Sequence, residues 1–436
     1  MNIENLIFKK NKRLLRFSLR QINRFLIRPY VRWRNIPLIA ITGTNGKTTV
    51  SRLLNRIYLS AGYNIGMCCT AGVQHNGVPV ARGDYSHGLG IWHASRGRVV
   101  DILVAETARG GILKFGLGYA RSMAGVVTNV YEDHLGLEGV QTIEQMAEVK
   151  SAIPRHTTPQ GTVVLNGDQA LVRSMISRTR ASGIYFTVED EQDRFDHCYY
   201  LHDGHIFRKS GSFKKRILDV KSLPITLQGT LTYNVANVMA ALATVEAMQP
   251  WVPVQLETVQ TVLQEFGMNP NDNPTRLNLL RIKDRYVLLC TCKNPESYRR
   301  DAETIRTIQK KYKFDHVIGM LTAPGDRRQD FYEQISHTVA PLCSYFFVRP
   351  PLKRYLRIRT GEEIVRLLSA SIPAERILST ENLPLESIFD WTRKTIKGTC
   401  LYVYFYATLE SNLDIMRLIS ESQHIPIEIG EKLWRL

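Results

Sequence analysis

The chain has 436 residues, of which 44% are hydrophobic and 22% charged, values typical of a globular protein with two or three domains. No apolar run approaches the roughly 18 to 20 residues that cross a bilayer, and no signal-peptide core follows the N-terminal charges, so a cytoplasmic protein is expected. Seven cysteines in a chain this long do not make a disulfide scaffold, and because they include no CxxC pair a zinc site is not favoured. The formal net charge of +17 favours acidic partners: a nucleotide, a nucleic acid, an anionic membrane face or a polyanionic substrate.

Residues 1–35 form a basic N-terminal arm that differs from the rest of the sequence. Arginines recur every three or four residues, and apolar residues keep the same spacing beside them: Arg13, Arg16, Arg20 and Arg24, with Leu15, Leu19, Ile22 and Leu26. This pattern predicts a cationic amphipathic helix that ends near Pro29. The helix either packs on the protein with a solvated basic face, or residues 12–28 contact an anionic surface such as the inner face of a membrane, or an acidic partner.

Residues 36–268 alternate between short apolar runs and helical patterns. "PLIAITG" predicts a strand, and "KTTVSRLLNRIYLSAG" predicts a helix with an apolar face made of Val50, Leu53, Leu54, Ile57 and Tyr58. Further strands are predicted in "VVDILVAETA", "MAGVVTNV", "GTVVLNGD" and "ASGIYFTV", and "GTLTYNVANVMAALATVEAM" predicts a long closing helix. The alternation favours an α/β domain with a mostly parallel sheet and helices on both faces.

The Asn- and Pro-rich stretch "GMNPNDNPTR" predicts a linker to a second, smaller α/β domain over residues 269–436. Its predicted strands are "YVLLCTC", "HVIGMLTA", "SYFFVRP" and "TCLYVYFYA". Helices are predicted at about 295–312 and 362–370.

The glycine-containing loop after the first strand, "GTNGKTT", predicts a phosphate site, because backbone N–H groups and a helix N-terminus bind anions. Its residues are Gly43, Thr44, Asn45, Gly46, Lys47, Thr48 and Thr49. Lys47 would reach the β- and γ-phosphates of a nucleotide, and the Thr48 hydroxyl would bind Mg²⁺. The match to G-x-x-x-x-G-K-[ST] lacks the first glycine, so a plain strand–helix turn with an incidental lysine is the alternative.

Polar residues follow two further predicted strands. Glu106 precedes "TARGG" and can hold Mg²⁺, although a cap or ion pair is the alternative. Asn129, Asp133 and His134 follow the next strand, and a neutral His134 imidazole could be a second metal ligand or a structural residue. Lys150, in "MAEVK", taken alone indicates a solvated charge on a helix.

The order of these features resembles the Mur ligase superfamily, and within it the C-terminal half of cyanophycin synthetases. The resemblance rests on "GTNGKTT", "GMCCTAGV", "ETARGGIL", "GVVTNVYEDHLG", "VLNGD", "NPTRLNLL", "GDRR" and "RYLRIRTGEEI", and it extends from about residue 36 to 407. It implies a P-loop central ATP-binding domain, a Rossmann-like C-terminal domain, and a phosphate loop shorter than the common form.

The resemblance also implies residue roles. Lys47, Lys150 and His134 would be catalytic, and Thr48, Glu106, His134 and a carbamylated Lys150 would hold magnesium. Asn129 and the loop would bind ATP, Asn237 would lie at the adenine, and Arg276 would reach the phosphates from the second domain. The family transfers the γ-phosphoryl group of ATP to a carboxylate, and an amine then attacks the acyl phosphate to form an amide.

Two regions depart from the family pattern. In "CTCKNP", Cys290 replaces the aspartate that contacts the ribose and Lys293 replaces a histidine. After Gly83 and Asp84 the usual Cys-Thr-Gly-Pro is missing, in a region that the resemblance places at the acceptor. Asp326, Arg327 and Arg328 match the family, with a surface ion-pair cluster as the alternative.

We therefore expect an ATP- and Mg²⁺-dependent ligase that joins an amino acid or small peptide to a carboxylate of an acidic substrate, in the manner of cyanophycin synthetase. The alternative is a degenerate ATP-binding or scaffold subunit that works with a separate ATP-grasp ligase. A nucleic-acid partner is not expected, because no basic stretch is interleaved with aromatic residues. The sequence does not decide whether the protein forms a homo-oligomer.

Overall fold

A computed structural model describes residues 17–97, 99–189, 192–282, 284–406 and 420–425 of the chain. The described residues form two compact units. The first extends to Tyr131 and resumes at Thr142–Phe266; the second consists of Glu132–Gln141 and the residues from Gly267 onward. The sequence did not indicate that residues 132–141 group with the second unit, and the predicted division into 1–35, 36–268 and 269–436 stays a prediction.

The first unit is built on one eleven-stranded sheet with the order β11-β10-β9-β8-β7-β6-β1-β5-β2-β3-β4. Its strands are β1 (Leu38–Thr42), β2 (Ile65–Cys69), β3 (Gly72–His75), β4 (Val78–Arg82), β5 (Ile102–Glu106), β6 (Ser122–Val127), β7 (Thr157–Asn166), β8 (Ser182–Thr187), β9 (His197–His202), β10 (His205–Ser210) and β11 (Phe213–Asp219). Neighbours from β2 to β9 are parallel, and both ends of the sheet continue as antiparallel strands. The carboxyl ends of the parallel strands therefore meet at one edge, where α/β proteins place their ligands.

The helices of this unit are α1 (Arg28–Arg34), α2 (Lys47–Ser60), α3 (Gly88–Ser95), α4 (Arg109–Phe115), α5 (Ile143–Lys150), α6 (Ala152–Arg155), α7 (Ala170–Arg173), α8 (Thr232–Met248) and α9 (Leu256–Glu265). Short 3₁₀ turns lie at Ser174–Arg178, Gln192–Arg194, Val220–Ser222 and Pro224–Thr226. The predicted apolar face of α2 is confirmed, because all five of its residues are fully buried. Helix α8 is apolar on nearly every side and is correspondingly buried, packed on α2 and on strands β6 to β9.

The N-terminal helix does not end near Pro29, so that prediction is wrong. Residues 17–22 are helical, and a π-helical turn follows at Asn23–Ile27. The helix then continues as α1 and ends at Arg34. Proline occupies the first turn of α1, where its ring fits the helix and its missing N–H is least needed. The helix ends because Asn35 adopts a left-handed conformation with φ of 49°.

The buried face of this helix also differs from the predicted apolar stripe. Asn23, Ile27 and Val31 are buried, whereas Ile22 and Leu26 are 43% and 66% exposed. The side-chain amide of Asn23 donates to the carbonyl oxygens of Phe115 and Leu117 at 2.7 and 2.8 Å, which fixes the rotation of the helix. Arg13, Leu15 and Arg16 lie outside the described residues.

The second unit has a seven-stranded sheet with the order β16-β15-β14-β17-β13-β12-β18. Its strands are β12 (Asn278–Ile282), β13 (Arg285–Leu289), β14 (His316–Leu321), β15 (Tyr345–Val348), β16 (Ile377–Ser379), β17 (Cys400–Tyr404) and β18 (Gln423–His424). Its helices are α10 (Pro295–Lys311), α11 (Gln329–Val339), α12 (Lys353–Leu356), α13 (Gly361–Ser369) and α14 (Leu385–Thr395), with a 3₁₀ turn at Ala374–Arg376. Strands β13 to β17 pair in parallel, and β12 pairs antiparallel with both β13 and β18.

The predicted fold class is confirmed: each unit is α/β and each sheet is mostly parallel at its centre. The antiparallel edges β3–β4 and β9–β11 were not predicted, because these strands carry mixed polar and apolar residues without a clear period. Among the described residues, no helix is both long enough and apolar enough to cross a membrane.

Candidate active site

The loop Gly43–Gly46 joins the end of β1 to the start of α2, and two of its residues need to be glycine. Gly43 and Gly46 have φ of +148° and +85°, a region that disfavours other residues. A Cβ atom on Gly43 would overlap the Thr128 hydroxyl, and one on Gly46 would overlap the Asn237 side-chain oxygen. The loop therefore turns tightly against two side chains from other parts of the unit.

Asn129 holds the loop in this shape. Its side-chain oxygen accepts hydrogen bonds from the Thr44 and Asn45 amides at 3.2 and 2.8 Å, and its side-chain nitrogen donates to the Asn45 carbonyl at 3.1 Å. The Thr128 hydroxyl donates to the same carbonyl at 2.6 Å. Asn129 thus acts on the loop backbone, and Thr128 is a supporting residue that the sequence did not single out.

The N-terminus of α2 begins directly after this loop. The first intrahelical hydrogen bond is donated by Val50 to the Gly46 carbonyl at 2.9 Å. The amides of Lys47 and Thr48 precede that bond, so they lie in the first turn, where the helix dipole favours an anion. This geometry supports the predicted phosphate loop over an incidental turn.

Two lysines converge on the loop. The Lys47 ammonium donates to the Gly43 and Thr44 carbonyls, each at 3.0 Å. The Lys150 ammonium, at the end of α5, donates to the Gly43 carbonyl at 2.8 Å. Lys150 is only 3% exposed, so its interpretation as a solvated charge is wrong.

Glu106 and Thr48 form the oxygen-rich part of the site. Glu106 is fully buried at the end of β5, and its Oε2 accepts from the Thr48 hydroxyl at 2.8 Å and the Thr70 amide at 3.4 Å. Its Oε1 has no hydrogen-bond partner among the described residues. A buried carboxylate oxygen without a partner is costly, and it suits a divalent cation, which prefers oxygen ligands.

The neighbouring thiols do not compete for such a cation. Burial and then the Glu106 carboxylate raise the pKa of the Cys69 thiol to about 11, so it stays protonated at neutral pH. None of the seven cysteines forms a disulfide. Within the described ranges, no three His, Cys, Asp or Glu side chains gather into a protein-only metal centre.

Asn237 and the second-unit residues complete the set predicted from the sequence. Asn237 is buried against Gly46, and its side-chain nitrogen donates to the Asn234 side-chain oxygen at 3.0 Å. Arg276 lies in the second unit, where its guanidinium donates to the Thr275 hydroxyl at 3.3 Å. Contacts with adenine or phosphate stay predictions for both residues.

A charged network in the second unit contains His134. The Arg327 guanidinium approaches the His134 Nε2 atom at 3.0 Å and the Asp133 carboxylate at 3.5 Å. Asp326 accepts from both Arg327 and Arg357. Asp326 and Arg327 are 5% and 6% exposed, so the interpretation of "GDRR" as a surface cluster is wrong for both.

His134 and Glu106 belong to different units. The first unit by itself brings together Lys47, Thr48, Glu106 and Lys150, while His134 contacts Arg327 in the second. The role of His134 as a metal ligand therefore stays a prediction, and binding through Nε2 would require Arg327 to move.

The departures at Cys290 and Lys293 lie at the end of β13. Cys290 is fully buried, and burial raises the pKa of its thiol. Its backbone amide donates to the Tyr404 carbonyl at 2.8 Å, and the Lys293 amide donates to the Ser297 hydroxyl at 2.9 Å. A neutral thiol is a much weaker hydrogen-bond acceptor than a carboxylate.

The chain is similar in sequence and in fold to known proteins. Residues 41–245 match the Mur ligase middle domain. The chain is 31% identical over 72% of its length to cyanophycin synthetase of a Nostoc species, and 34% identical over 83% to that of Geminocystis herdmanii. It spans only 35% and 41% of those two relatives. The fold is similar to the bifunctional folylpolyglutamate synthase/dihydrofolate synthase of Yersinia pestis complexed with AMPPNP and Mn ion, with a TM-score of 0.60, 15% identity and 89% coverage of both chains.

Proposed function

Because the chain belongs to the Mur ligase family, we propose that it forms an amide bond between a carboxylate of an acidic substrate and the amine of an amino acid or small peptide. The family and the named relatives indicate an ATP-dependent ligase enzyme. The observation that carries the proposal is the buried Glu106 carboxylate beside the phosphate loop. Its Oε2 accepts a hydrogen bond from Thr48, and its Oε1 has no hydrogen-bond partner among the described residues. A divalent cation bound here would meet oxygen donors, the type of ligand that Mg²⁺ prefers.

The proposed reaction has two steps. A carboxylate oxygen of the acidic substrate attacks the γ-phosphorus of ATP, and ADP leaves. The amine then attacks the carbonyl carbon of the acyl phosphate and loses a proton, and phosphate leaves as the amide forms. The positive charge of the chain would attract both ATP and an acidic substrate.

The residues of the first unit have matching tasks. Lys47 would leave the loop carbonyls to contact the transferred phosphoryl group, where its charge stabilises the developing negative charge. Thr48 and Glu106 would hold a Mg²⁺ ion, which when bound neutralises phosphate charge. Lys150, if carbamylated, would offer a carboxylate for a second ion beside Gly43.

The test is to mix the purified chain with ATP, Mg²⁺ and pairs of candidate acids and amines while following the release of ADP and phosphate. Release that requires both substrates, and that Lys47→Ala abolishes, supports ligation. Lys215→Ala is the matched control, because this lysine is exposed on β11. Trapping with hydroxylamine should convert the acid to its hydroxamate only when ATP is present; ADP release without any hydroxamate would argue against an acyl phosphate.

A second function is favoured by Cys290. Its buried thiol stands where the family resemblance implies an aspartate that contacts the ribose, which would suit a degenerate subunit that binds ATP or a polymer and serves a separate ATP-grasp ligase in the same cytoplasm. Tight ATP binding without turnover for any acid–amine pair would support this alternative. Activity that appears only on addition of an ATP-grasp enzyme would do so as well.

A further inference from the structure

The N-terminal helical segment from residue 17 to Arg34 has an apolar face that the first unit does not cover. We propose that this arm face binds the surface of a lipid bilayer that contains anionic lipids. The arm face consists of Phe17, Ile22, Phe25, Leu26 and Trp33, which are 62%, 43%, 64%, 66% and 75% exposed. This inference does not depend on the proposed ligase activity.

The opposite face is fixed to the protein, so the arm face has a defined orientation. Asn23, Ile27 and Val31 are buried, with both apolar residues in a core cluster that includes Leu117 and Tyr119. The Arg28 guanidinium donates to the Leu117 carbonyl at 2.8 Å, and the Arg20 guanidinium to the Leu113 carbonyl at 2.7 Å. The helix is therefore held by one face while large apolar side chains extend from the other.

The charge of the segment fits an anionic surface. Residues 17–35 contain five arginines and no aspartate or glutamate. Arg24 and Arg32 are exposed, and the Arg24 guanidinium lies 5.4 Å from the centre of the Phe25 ring. Basic residues near an anionic membrane are attracted to its surface, and apolar residues on the same helix strengthen the binding by inserting between the lipids.

The shape of the surface favours a bilayer over a protein. A segment of this kind, about 27 Å long at 1.5 Å per residue, can lie in the plane of the interface with its apolar side chains inserted. Trp33, the most exposed of the set, is of a residue type enriched at the level of the lipid head groups. A second copy of the chain would bring further positive charge toward this segment, and like charges disfavour self-association.

The experiment measures binding of the full chain to sedimented vesicles. We expect the protein to pellet with vesicles that contain about one third phosphatidylglycerol, and to bind at least about tenfold more weakly to pure phosphatidylcholine. The triple variant Phe25→Ser/Leu26→Ser/Trp33→Ser should reduce binding to anionic vesicles about tenfold or more, since it removes most of the inserting surface. Arg24→Gln/Arg32→Gln should weaken binding mainly at low salt.

Phe213→Ser is the matched control, because Phe213 is 63% exposed beside Lys214 and Lys215 on β11. It should bind vesicles like the unmodified chain, and circular dichroism should show that all variants stay folded. Equal binding by the triple variant, or no binding by the unmodified chain, would overturn the proposal. Dimerisation without vesicles that the triple variant abolishes would assign the face to a second copy and would also overturn it.

Discussion

The ammonium groups of Lys47 and Lys150 donate to the same acceptor, the carbonyl oxygen of Gly43, at 3.0 and 2.8 Å. One lysine begins the helix after the phosphate loop, and the other ends a helix that lies much later in the chain. Two cations lie at the loop, beside the positive N-terminal end of the α2 dipole. Together they produce a strongly positive region that is complementary to the negative charge of a nucleoside triphosphate. The two lysines can be distinguished because they are proposed to act differently.

Replacing Lys150 tests whether the site needs its positive charge or its proposed carbamate. Lys150→Arg keeps the positive charge but cannot form the proposed carbamate, so we expect both Lys150→Arg and Lys150→Ala to lose ligase turnover by about a hundredfold or more. The measurement is ADP release under saturating substrates, with Lys215→Ala as the control. In ¹³C-bicarbonate, the unmodified chain should give a carbamate signal that both variants lack; an active Lys150→Arg variant would contradict the carbamate role.

Neutralising Glu106 should have opposite effects on stability and on metal use. Glu106→Gln removes a buried carboxylate whose Oε1 has no partner among the described residues, so the metal-free protein should gain about 1 kcal/mol in unfolding free energy. The same change should raise the Mg²⁺ concentration needed for half-maximal activity about tenfold or more, because one anionic ligand is lost. Urea unfolding and a Mg²⁺ titration measure the two effects.

The control for this variant is Glu144→Gln, since Glu144 lies on the exposed face of α5. It should change neither quantity appreciably. If Glu106→Gln destabilised the metal-free protein and left the Mg²⁺ dependence unchanged, Glu106 would be a structural hydrogen-bond acceptor only.

Gly46→Ala tests whether the loop shape is fixed by both φ and Asn237. At φ of +85° an alanine costs roughly 1 to 3 kcal/mol, and its Cβ would also overlap the Asn237 side-chain oxygen. Gly62→Ala is the matched control, because Gly62 has φ of +88° with nothing within 4 Å of the added Cβ. Urea unfolding should show a larger loss for Gly46→Ala, and ATP binding should weaken only in that variant.

A double-mutant cycle separates the two causes at Gly46. Adding Asn237→Ala removes the overlapping oxygen, so the two changes together should cost less than the sum of the single changes. Strict additivity would mean that backbone strain alone sets the cost and that Asn237 does not shape the loop.

Local patterns predicted much of this protein. The buried face of α2 follows from the helical spacing of Val50 to Tyr58, and the loop residues follow from glycines placed between a strand and a helix. The support of that loop by Thr128 and Asn129 depends on β6 pairing beside β1, a long-range arrangement that local spacing does not encode. The sequence indicated polar residues at the end of β6 but not what they would contact.

In the N-terminal helix, local spacing did not predict which face is buried. The regular 3.6-residue period predicted one apolar stripe containing Ile22 and Leu26, and packing of that stripe on the protein was one of its two interpretations. The π-helical turn at Asn23–Ile27 shifts the phase of the helix, so both residues are exposed. Asn23 is then buried because its amide satisfies two backbone carbonyls, a preference that hydrophobicity alone does not reveal. The assignment of residues 132–141 to the second unit is likewise set by tertiary contacts such as that of His134 with Arg327.

His87 should make stability depend on pH. Burial lowers the pKa of its imidazole, despite the nearby Asp84 carboxylate; its ring stacks on Phe115 at 4.3 Å, and its Nδ1 has no hydrogen-bond partner within the described ranges. The unfolded chain therefore binds the proton more readily than the folded one. Stability from this residue is fully present above the unfolded pKa and is lost as the pH falls toward the folded pKa.

We expect the unfolding free energy to decrease between about pH 7.5 and 5.5, a window that spans the ordinary histidine pKa of about 6.5. His87→Phe keeps an aromatic ring against Phe115 and should lose less stability over that window than the unmodified chain. Urea unfolding at the two pH values measures this. Parallel pH profiles would show that other histidines with a lowered pKa, such as His156, account for the effect.

Asp326 should be the most sensitive charged residue of the second unit. Its carboxylate is 5% exposed and accepts from both Arg327 and Arg357, and Arg327 is itself buried. Asp326→Asn leaves a buried guanidinium with weaker compensation, so we expect a loss of about 3 to 5 kcal/mol in unfolding free energy. Asp330→Asn is the control, because Asp330 is exposed and pairs with Arg328 at 3.3 Å; it should change stability by less than about 0.5 kcal/mol. Similar urea midpoints for the two variants would mean that the Asp133 carboxylate, 3.5 Å from Arg327, compensates the lost charge.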